Sequence, residues 1–589
     1  MNLFGANISY QVSGYLSKIL KDISLHENAN KVMYEAFGVL NFFENQDEFE
    51  ELKNALDSLI PIVSEPDRTE YGDFQTNSNL ANKTTLFLTE KGVSPQIIIE
   101  PTCGKGNFII ASLKNFNQIE TVFGVEIYKP YVWECKFNII DFFLDNPNTR
   151  KPDIKIYHFN VFDFNFKEIQ KKCGDKKLLV IGNPPWVTNS QLGSLNSNNL
   201  PRKINLKNHS GIDAITGKGN FDIAEYITEM LIKTFQETTG NIALLVKNSV
   251  IKNIVYEQYK NKHKISDLEK YGIDSKKEFN VSVEASLFLL TLNSQSTFDC
   301  KEFNFYKNDI LVKRFGWISS NFVSDIENYV NIEQFDGESP FIWRQGIKHD
   351  CTNVMELDKL NGHFINKLSE EVELESELVY GFLKSSDLKN IIASQTRKFT
   401  IVTQTKIGQE TNYIKSNYPK TYDYLFSHKT FFDSRKSSIY NNKPLFSIFG
   451  IGDYSFMPYK VAISGLYKTF HFTLVLPQED KPIMLDDTCY FIGFENIEFA
   501  VYTLILLNSQ KTISLLESIT FSDAKRTFTK EMLMRIDLLA LSQNISSSEL
   551  QEAIHNLNLE YGLNVSLKSW NEYIKKIKPI EEKQLQLFT

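Results

Sequence analysis

The sequence predicts an α/β protein: a doubly wound, mostly parallel sheet with helices ahead of it and an α+β region behind. Three observations carry this expectation. From residue 66 to about 295, short apolar runs ("QIIIE", "TVFGVE", "IKIYHF", "LLVIGN", "NIALLV", "ASLFLLTL") alternate with helical or polar segments. Such runs between helices mark strands buried on both faces. Ahead of them, "NANKVMYEAFGVLNFF" reads as helix. Beyond residue 300 the alternation gives way to strands joined by turns, as in "YNNKPLFSIFGIGDYSFMPYKVAISGLYKTFHFTLVL", with a mixed helical tail from about 530. The 589 residues therefore divide into a helical segment (1–65), an α/β domain (66–300) and an α+β region (301–589).

Composition narrows the class. A net charge of -8 leaves nucleic-acid binding open, because a polyanion needs a local basic surface rather than a basic total. Cys103, Cys135, Cys173, Cys300, Cys351 and Cys489 are scattered without a CxxC pair. Neither a metal site nor a disulfide framework is expected, which fits a reducing cytoplasm. The start "MNLFGANISYQ" lacks the pattern of a signal peptide, and no apolar run approaches the ~18 residues needed to span a bilayer. The expectation is a soluble cytoplasmic protein with no membrane partner.

The elements follow in order. "IIIEPTCGKGNF" is a strand, then Glu100-Pro101-Thr102-Cys103-Gly104-Lys105-Gly106, then a helix. Small residues at such a turn let backbone approach a ligand at the sheet's C-terminal edge, although a tight structural turn reads the same. The next strand ends in Glu126, twenty positions after Gly106, where a doubly wound fold hydrogen-bonds a ribose. A third strand is followed by "NVFDF", whose Asp163 and Phe164 offer a carboxylate and a ring suited to an adenine. Each acid alone also fits a solvated strand end; the series favours a ligand. The fourth strand ends in Asn183-Pro184-Pro185-Trp186, held stiff and extended by two prolines. A polar segment, residues 187–220, follows, too long for an ordinary connection and a candidate to close over a partner. The helix in "FDIAEYITEMLIKTF" puts Phe221, Ala224, Ile227, Leu231 and Phe235 on one core-facing stripe.

As a set, "YGDFQT" (71–76), "EPTCGKGNF", "GVEI", "FDF" and "NPPW" resemble the S-adenosylmethionine-dependent DNA adenine-N6 methyltransferases, in the branch whose catalytic motif follows the cofactor motifs. The resemblance covers about residues 70 to 290. It implies a Rossmann-like class I methyltransferase domain in which Phe74 and Thr76 line the methionine end of the cofactor. It places Glu100, Thr102, Cys103, Gly104 and Gly106 around methionine and ribose, Glu126 and Ile127 at ribose and adenine, and Asp163 with Phe164 at adenine. Asn183, which the resemblance also places among the cofactor-binding residues, and Pro184 would accept from the target amine, Pro185 would stiffen the motif, Trp186 would stack on a flipped base, and Phe279 would be its second face. Two departures are visible: Asn77 where the family usually continues with Pro, and Trp186 where Tyr or Phe is commoner.

The region after 300 is expected to read DNA. Between 397 and 443, nine basic residues meet three acids, with Tyr413, Tyr418 and Tyr424 interleaved, which suits a phosphate-contacting surface or an ordinary solvated face. "WRQGIKHDCTNVMEL", "IGDYSFMPYKVAISGLYK" and "DAKRTF" are similar to segments of bacterial target-recognition regions. Arg344, Lys348, Arg435, Lys436, Lys460, Lys525 and Arg526 are the candidate DNA contacts. The expected protein is a monomeric methyltransferase acting on double-stranded DNA in a restriction-modification or other defence system, beside a separately encoded endonuclease. Competing readings are a protein-glutamine N5 methyltransferase, a bifunctional restriction-modification enzyme and a non-catalytic DNA-specificity subunit.

Overall fold

A computed structural model describes residues 2–3, 6–58, 75–188, 222–467, 469–521 and 528–578. They fall into two compact units, Met1–Phe322 and Val323–Thr589.

The first unit opens with helices α1 (Tyr10–Leu20), α2 (His26–Phe37) and α3 (Gln46–Ser58), followed by α4 (Ser78–Glu90). The sheet then begins: β1 (Ile97–Glu100), α5 (Asn107–Asn115), β2 (Thr121–Glu126), α6 (Lys129–Asp145), β3 (Asp153–His158), α7 (Phe166–Cys173) and β4 (Leu178–Gly182). The next described elements are α8 (Ile223–Phe235), β5 (Gly240–Lys247), α9 (Asn248–Asn261), β6 (Ile265–Ile273), α10 (Ser275–Phe279) and β7 (Ala285–Leu292). Strands β8 (Asp299–Asn304), β9 (Lys307–Ile318) and β10 (Asn321–Val323) complete the sheet.

The spatial order is β10-β9-β8-β6-β7-β5-β4-β1-β2-β3. Strands β3, β2, β1, β4 and β5 run parallel, and β7 enters antiparallel between β5 and β6. The chain steps outward from β1 to β2 and β3, then returns to place β4 on β1's other side. That reversal opens a crevice at the C-terminal ends of β1 and β4, where doubly wound sheets take their ligands. Helices cover both faces, so every residue of β4 is buried and apolar or glycine.

Local chemistry sets the elements that matter. Asp222 caps α8 by accepting from Ala224 N at 3.0 Å, and Ile223, Ile227, Leu231 and Phe235 bury one stripe against the sheet. The N-terminal helices lie on α6: Lys136 donates from Nζ to Phe42 O at 2.8 Å, and Trp133 meets Phe42 edge-on at 5.6 Å. They also reach the outer strand, since Ile154 N donates to Gly38 O and Leu40 N to Ile154 O, each at 2.8 Å.

In the second unit, a five-stranded sheet has the order Arg344–Gln345, Cys489–Phe494, Tyr459–Ser464, Phe472–Val475, Ile392–Ala393. A six-stranded sheet runs Glu371–Val372, His363–Asn366, Glu356–Leu360, Lys398–Ile401, Val379–Leu383, Met484–Leu485. Helices Ile497–Leu507, Gln510–Ile519, Ser547–Tyr561 and Trp570–Ile577 follow. Among the described residues no single helix is long and apolar enough to cross a membrane, and no group of His, Cys, Asp and Glu is placed to hold a metal.

Candidate active site

The turn after β1 is shaped by two glycines. Gly104 (φ +50°) and Gly106 (φ +81°) adopt left-handed backbone that L side chains rarely take, and Gly106 opens α5 as its N-cap. Space is short as well: a Cβ would lie 2.6 Å from Gln75 Oε1 at Gly104 and 2.5 Å from Cys135 Sγ at Gly106. Glu126, at the end of β2, fixes this turn from below. Its Oε2 accepts from Gly104 N at 2.9 Å and its Oε1 from Tyr128 N at 2.8 Å. A carboxylate has about four acceptor positions, so capacity remains for ligand hydroxyls.

Asn107, at the start of α5, donates from Nδ2 to Thr76 O at 2.8 Å and brings the "QT" segment to the cleft. On the far side, Thr102 Oγ1 donates to Asn183 O at 3.4 Å, linking the glycine turn to the end of β4. The resulting cleft encloses about 1000 Å³, open solvent included. Its walls include Thr76, Glu100, Thr102, Cys103, Gly104, Glu126, Ile127, Asn183, Pro184 and Pro185.

In this cleft Thr76 Oγ1 and Glu100 Oε2 are buried without a hydrogen-bond partner among the described residues. Burial pushes the Glu100 carboxyl well above the usual carboxylate range, with Cys135 and Glu126 adding to the rise. A backbone hydrogen bond from Ile109 eases that rise, and the oxygen left without a partner is costly in isolation and suited to a ligand. These orphaned atoms, the glycine cradle and the acceptor at Glu126 fit a cationic nucleoside such as S-adenosylmethionine.

The residues after β3 depart from the sequence expectation. Asp163 is exposed, Phe164 packs edge-on against Tyr157 and Phe166, and neither lines the cleft. Asn160, Val161 and Phe162 line it instead, with Asn160 Oδ1 accepting from Phe162 N at 3.0 Å. The reason is register. Strand β3 ends at His158, so the first side chains past its edge are those at 159–162. Counting from the strand end would have found them; looking for a carboxylate did not. Tyr128 and Tyr131 are further wall residues that no motif announced.

Beyond β4, Trp186 is buried and donates from Nε1 to Leu245 O at 3.2 Å. Phe279, the last residue of α10, meets it edge to face, with ring centroids 4.9 Å apart and planes at 65°. The structure thus brings the two expected stacking residues together. Past them, Ile223 N donates to Val187 O at 2.9 Å and Thr188 bridges Asp222, while Asp222 pairs with Lys247 at 2.6 Å. Phe74, Lys525, Arg526 and most of the 187–220 segment lie outside the described residues.

The remaining candidates belong to the second unit. Arg344 stacks over the Tyr454 ring at 4.8 Å, and Lys348 lies 3.6 Å from Asp350. Arg435 covers the Tyr440 ring at 3.7 Å and donates to Phe432 O and Ser447 O. Lys436 is exposed in a shallow cleft with Asp350, Thr352, Ser434 and Ser437. Lys460 is buried, donates to Met457 O at 2.8 Å, and is pushed down to about 7 by burial. Tyr413, Tyr418 and Tyr424 pack on the core of the unit rather than forming an aromatic surface.

No family model matches the chain. The type II methyltransferase M.NspV of Nostoc sp. (strain ATCC 29411 / PCC 7524) is 40% identical over 483 residues, spanning 82% of this chain and 99% of that protein. Among solved structures, the type IIL restriction-modification enzyme MmeI in complex with DNA superposes with a TM-score of 0.49 at 11% identity, covering 98% of this chain and 94% of that one. The DrdV–DNA complex gives a TM-score of 0.43 at 10% identity, covering 94% of this chain and 66% of that one.

Proposed function

Because the chain belongs to the family of type II methyltransferases, we propose that it methylates N6 of an adenine flipped out of duplex DNA. The observation that carries this reading is the placement of Asn183-Pro184-Pro185 in the wall of a cleft built for a cationic nucleoside, with Trp186 and Phe279 beyond it. S-adenosylmethionine, when bound, supplies an electrophilic methyl on a sulfonium.

The residues of the chain do the rest. An adenine amine is a poor nucleophile because its lone pair is delocalised into the ring. The Asn183 side-chain oxygen and the Pro184 carbonyl accept from its two N–H groups, favouring a pyramidal nitrogen whose lone pair is free to attack. Pro185 keeps that carbonyl from turning away, since its ring fixes the backbone and removes a donor. No strong base is required before attack; the amine loses its proton to solvent once methylated. The rate then comes from positioning and from dipoles fixed in advance. An adenine within a duplex is out of reach, so the base is flipped, and Trp186 with Phe279 receives it, each such contact worth roughly 1–3 kcal/mol.

In the cofactor cleft, Thr76, Glu100, Thr102, Cys103, Gly104 and Gly106 hold the methionine and ribose portion, and Phe74 belongs beside them. Glu126 and Ile127 take ribose and adenine. For the adenine we assign Asn160 and Phe162 ahead of Asp163 and Phe164. The helical start, the catalytic α/β portion with its sheet running on past residue 300 to Val323, and the DNA-reading portion after it are the working division of the chain. We place it in the cytoplasm as a monomer, in a restriction-modification system with its endonuclease on another chain.

The test is transfer of labelled methyl to duplex DNA, followed by modification-sensitive sequencing. N6-methyladenine at one recurrent sequence is the expected result. Label on protein glutamine, or on another base, would replace this reading.

A further inference from the structure

We propose that Glu278 is a positioning residue that ties the target-base pocket to the cofactor wall through Asn77; this rests on the reading above. Glu278 precedes Phe279 at the end of α10, a helix of five residues. Its two oxygens are taken from opposite sides. Tyr306 OH donates to Oε1 at 3.0 Å, and Asn77 Nδ2 donates to Oε2 at 3.3 Å. Asn77 uses its other end too: Oδ1 accepts from Leu80 N at 2.8 Å and caps α4. The preceding residue is Thr76, whose buried hydroxyl faces the cofactor cleft and whose carbonyl is held by Asn107.

A short path therefore runs from the cofactor wall to the stacking ring: Thr76, Asn77, Glu278, Phe279. Ring centroids 4.9 Å apart leave no room for a third ring between Trp186 and Phe279. Trp186 is fixed by its bond to Leu245 O, so Phe279 is the partner that shifts when a base enters. Phe279 and Glu278 are adjacent on one helical turn and shift together, and Asn77 carries the shift to Thr76. A ligand that settles Thr76 firms Asn77 and Glu278 in turn, so the wall shared by the two substrates is ordered once rather than twice. Cofactor and target DNA then strengthen each other's binding, and linkage requires the factor to be the same in both directions. The amide at position 77 caps α4 with its oxygen and donates to a carboxylate with its nitrogen.

The test uses the full-length protein, S-adenosylhomocysteine as a non-transferring probe, and a duplex carrying the sequence it methylates. Dissociation constants for each are measured with and without the other. In the native protein, mutual strengthening of about three- to tenfold is expected, the span of a hydrogen bond's net contribution. Asn77→Asp keeps the cap but removes the donor and faces Glu278 with like charge, so the coupling falls to about one. Adding Glu278→Gln supplies a donor from the other side and restores it. Native protein without coupling, an unchanged factor in Asn77→Asp, or no recovery in the double variant would overturn the proposal. Failure of the native protein to methylate DNA adenine is a separate result, and it would overturn the function rather than the link.

Discussion

In the first unit, polar side chains at the sheet's C-terminal edge stop short of satisfying one another. Glu100 and Thr76 are buried with atoms left over, and the Asn183 amide stands in the wall of a cleft. Among the described residues of the second unit, several cations find an answer nearby. Arg397 meets Asp387, Lys398 lies 3.0 Å from Asp358, Lys420 lies 3.0 Å from Glu373, and Arg435 spends donors on backbone carbonyls. Buried atoms are left over in the second unit too, Thr400 Oγ1 and Ser455 Oγ among them, so it is their gathering at a cleft that suits Thr76 and Glu100 to a ligand. A count of basic residues cannot tell an exposed cation from an answered one.

Five substitutions test the contrast. Asn183→Ala has the largest expected effect: methyl transfer falls by about 10²–10³-fold, as for loss of one fixed polar contact in a transition state. S-adenosylmethionine affinity, read by calorimetry, stays close to native, and near-native transfer rates would remove Asn183 from the mechanism.

Glu100→Gln comes next. Because burial holds this carboxyl above its unfolded value of 4.5, the folded state keeps a proton that the unfolded chain releases. Stability is thus intact below that value and is lost as pH rises through the folded pKa. The amide has no proton to lose, so the variant melts higher than native at pH 8 while binding S-adenosylmethionine about tenfold more weakly. A variant no more stable at pH 8 and no weaker in binding would show the carboxyl to be solvated after all.

Lys460→Met asks whether a buried cation belongs to the fold or to DNA. The lysine titrates near 7 when folded, so its charge burdens the folded state below that pH and the burden lifts as pH rises past it. The variant should melt roughly 2–4 °C higher at pH 6, with a smaller gain at pH 9. Its DNA affinity should keep the native salt dependence; a reduced dependence would make Lys460 a phosphate contact.

Smallest is Lys436→Gln. An exposed lysine at a phosphate lowers the slope of log affinity against log salt by about 0.9 when removed. The same change at Arg397, whose charge is already answered by Asp387, should leave the slope alone. Equal slopes in the two variants would erase the distinction between an exposed cation and one already answered by a carboxylate.

Much of the first unit was legible because its chemistry sits at strand ends. The runs ending in Glu100, Glu126 and Gly182 are β1, β2 and β4, and Phe279 lies edge to face with Trp186. Strand β6 escaped because its alternation is broken. Its pairing with β7 shifts register between Ser266 and Glu269, where Asp267 takes positive φ, and its buried Lys270 is answered by Glu302 3.1 Å away. The β8–β9 hairpin was hidden likewise by charged residues and two register shifts. In the second unit, tyrosines read as a surface face inward, because a ring and a hydroxyl serve a core as well as an interface.

The bonds between Gly38, Leu40 and Ile154 have a consequence for handling the protein. Strand β3 is the last of its sheet, and an uncovered strand edge is a template for other chains. Residues 38–40 pair with that edge at Ile154, and the segment is anchored on α6 by Phe42 and Lys136. A shortened chain beginning at the cofactor motifs would keep every group in the cleft, yet it would leave the flask as aggregate. The first helices are the price of solubility rather than of catalysis.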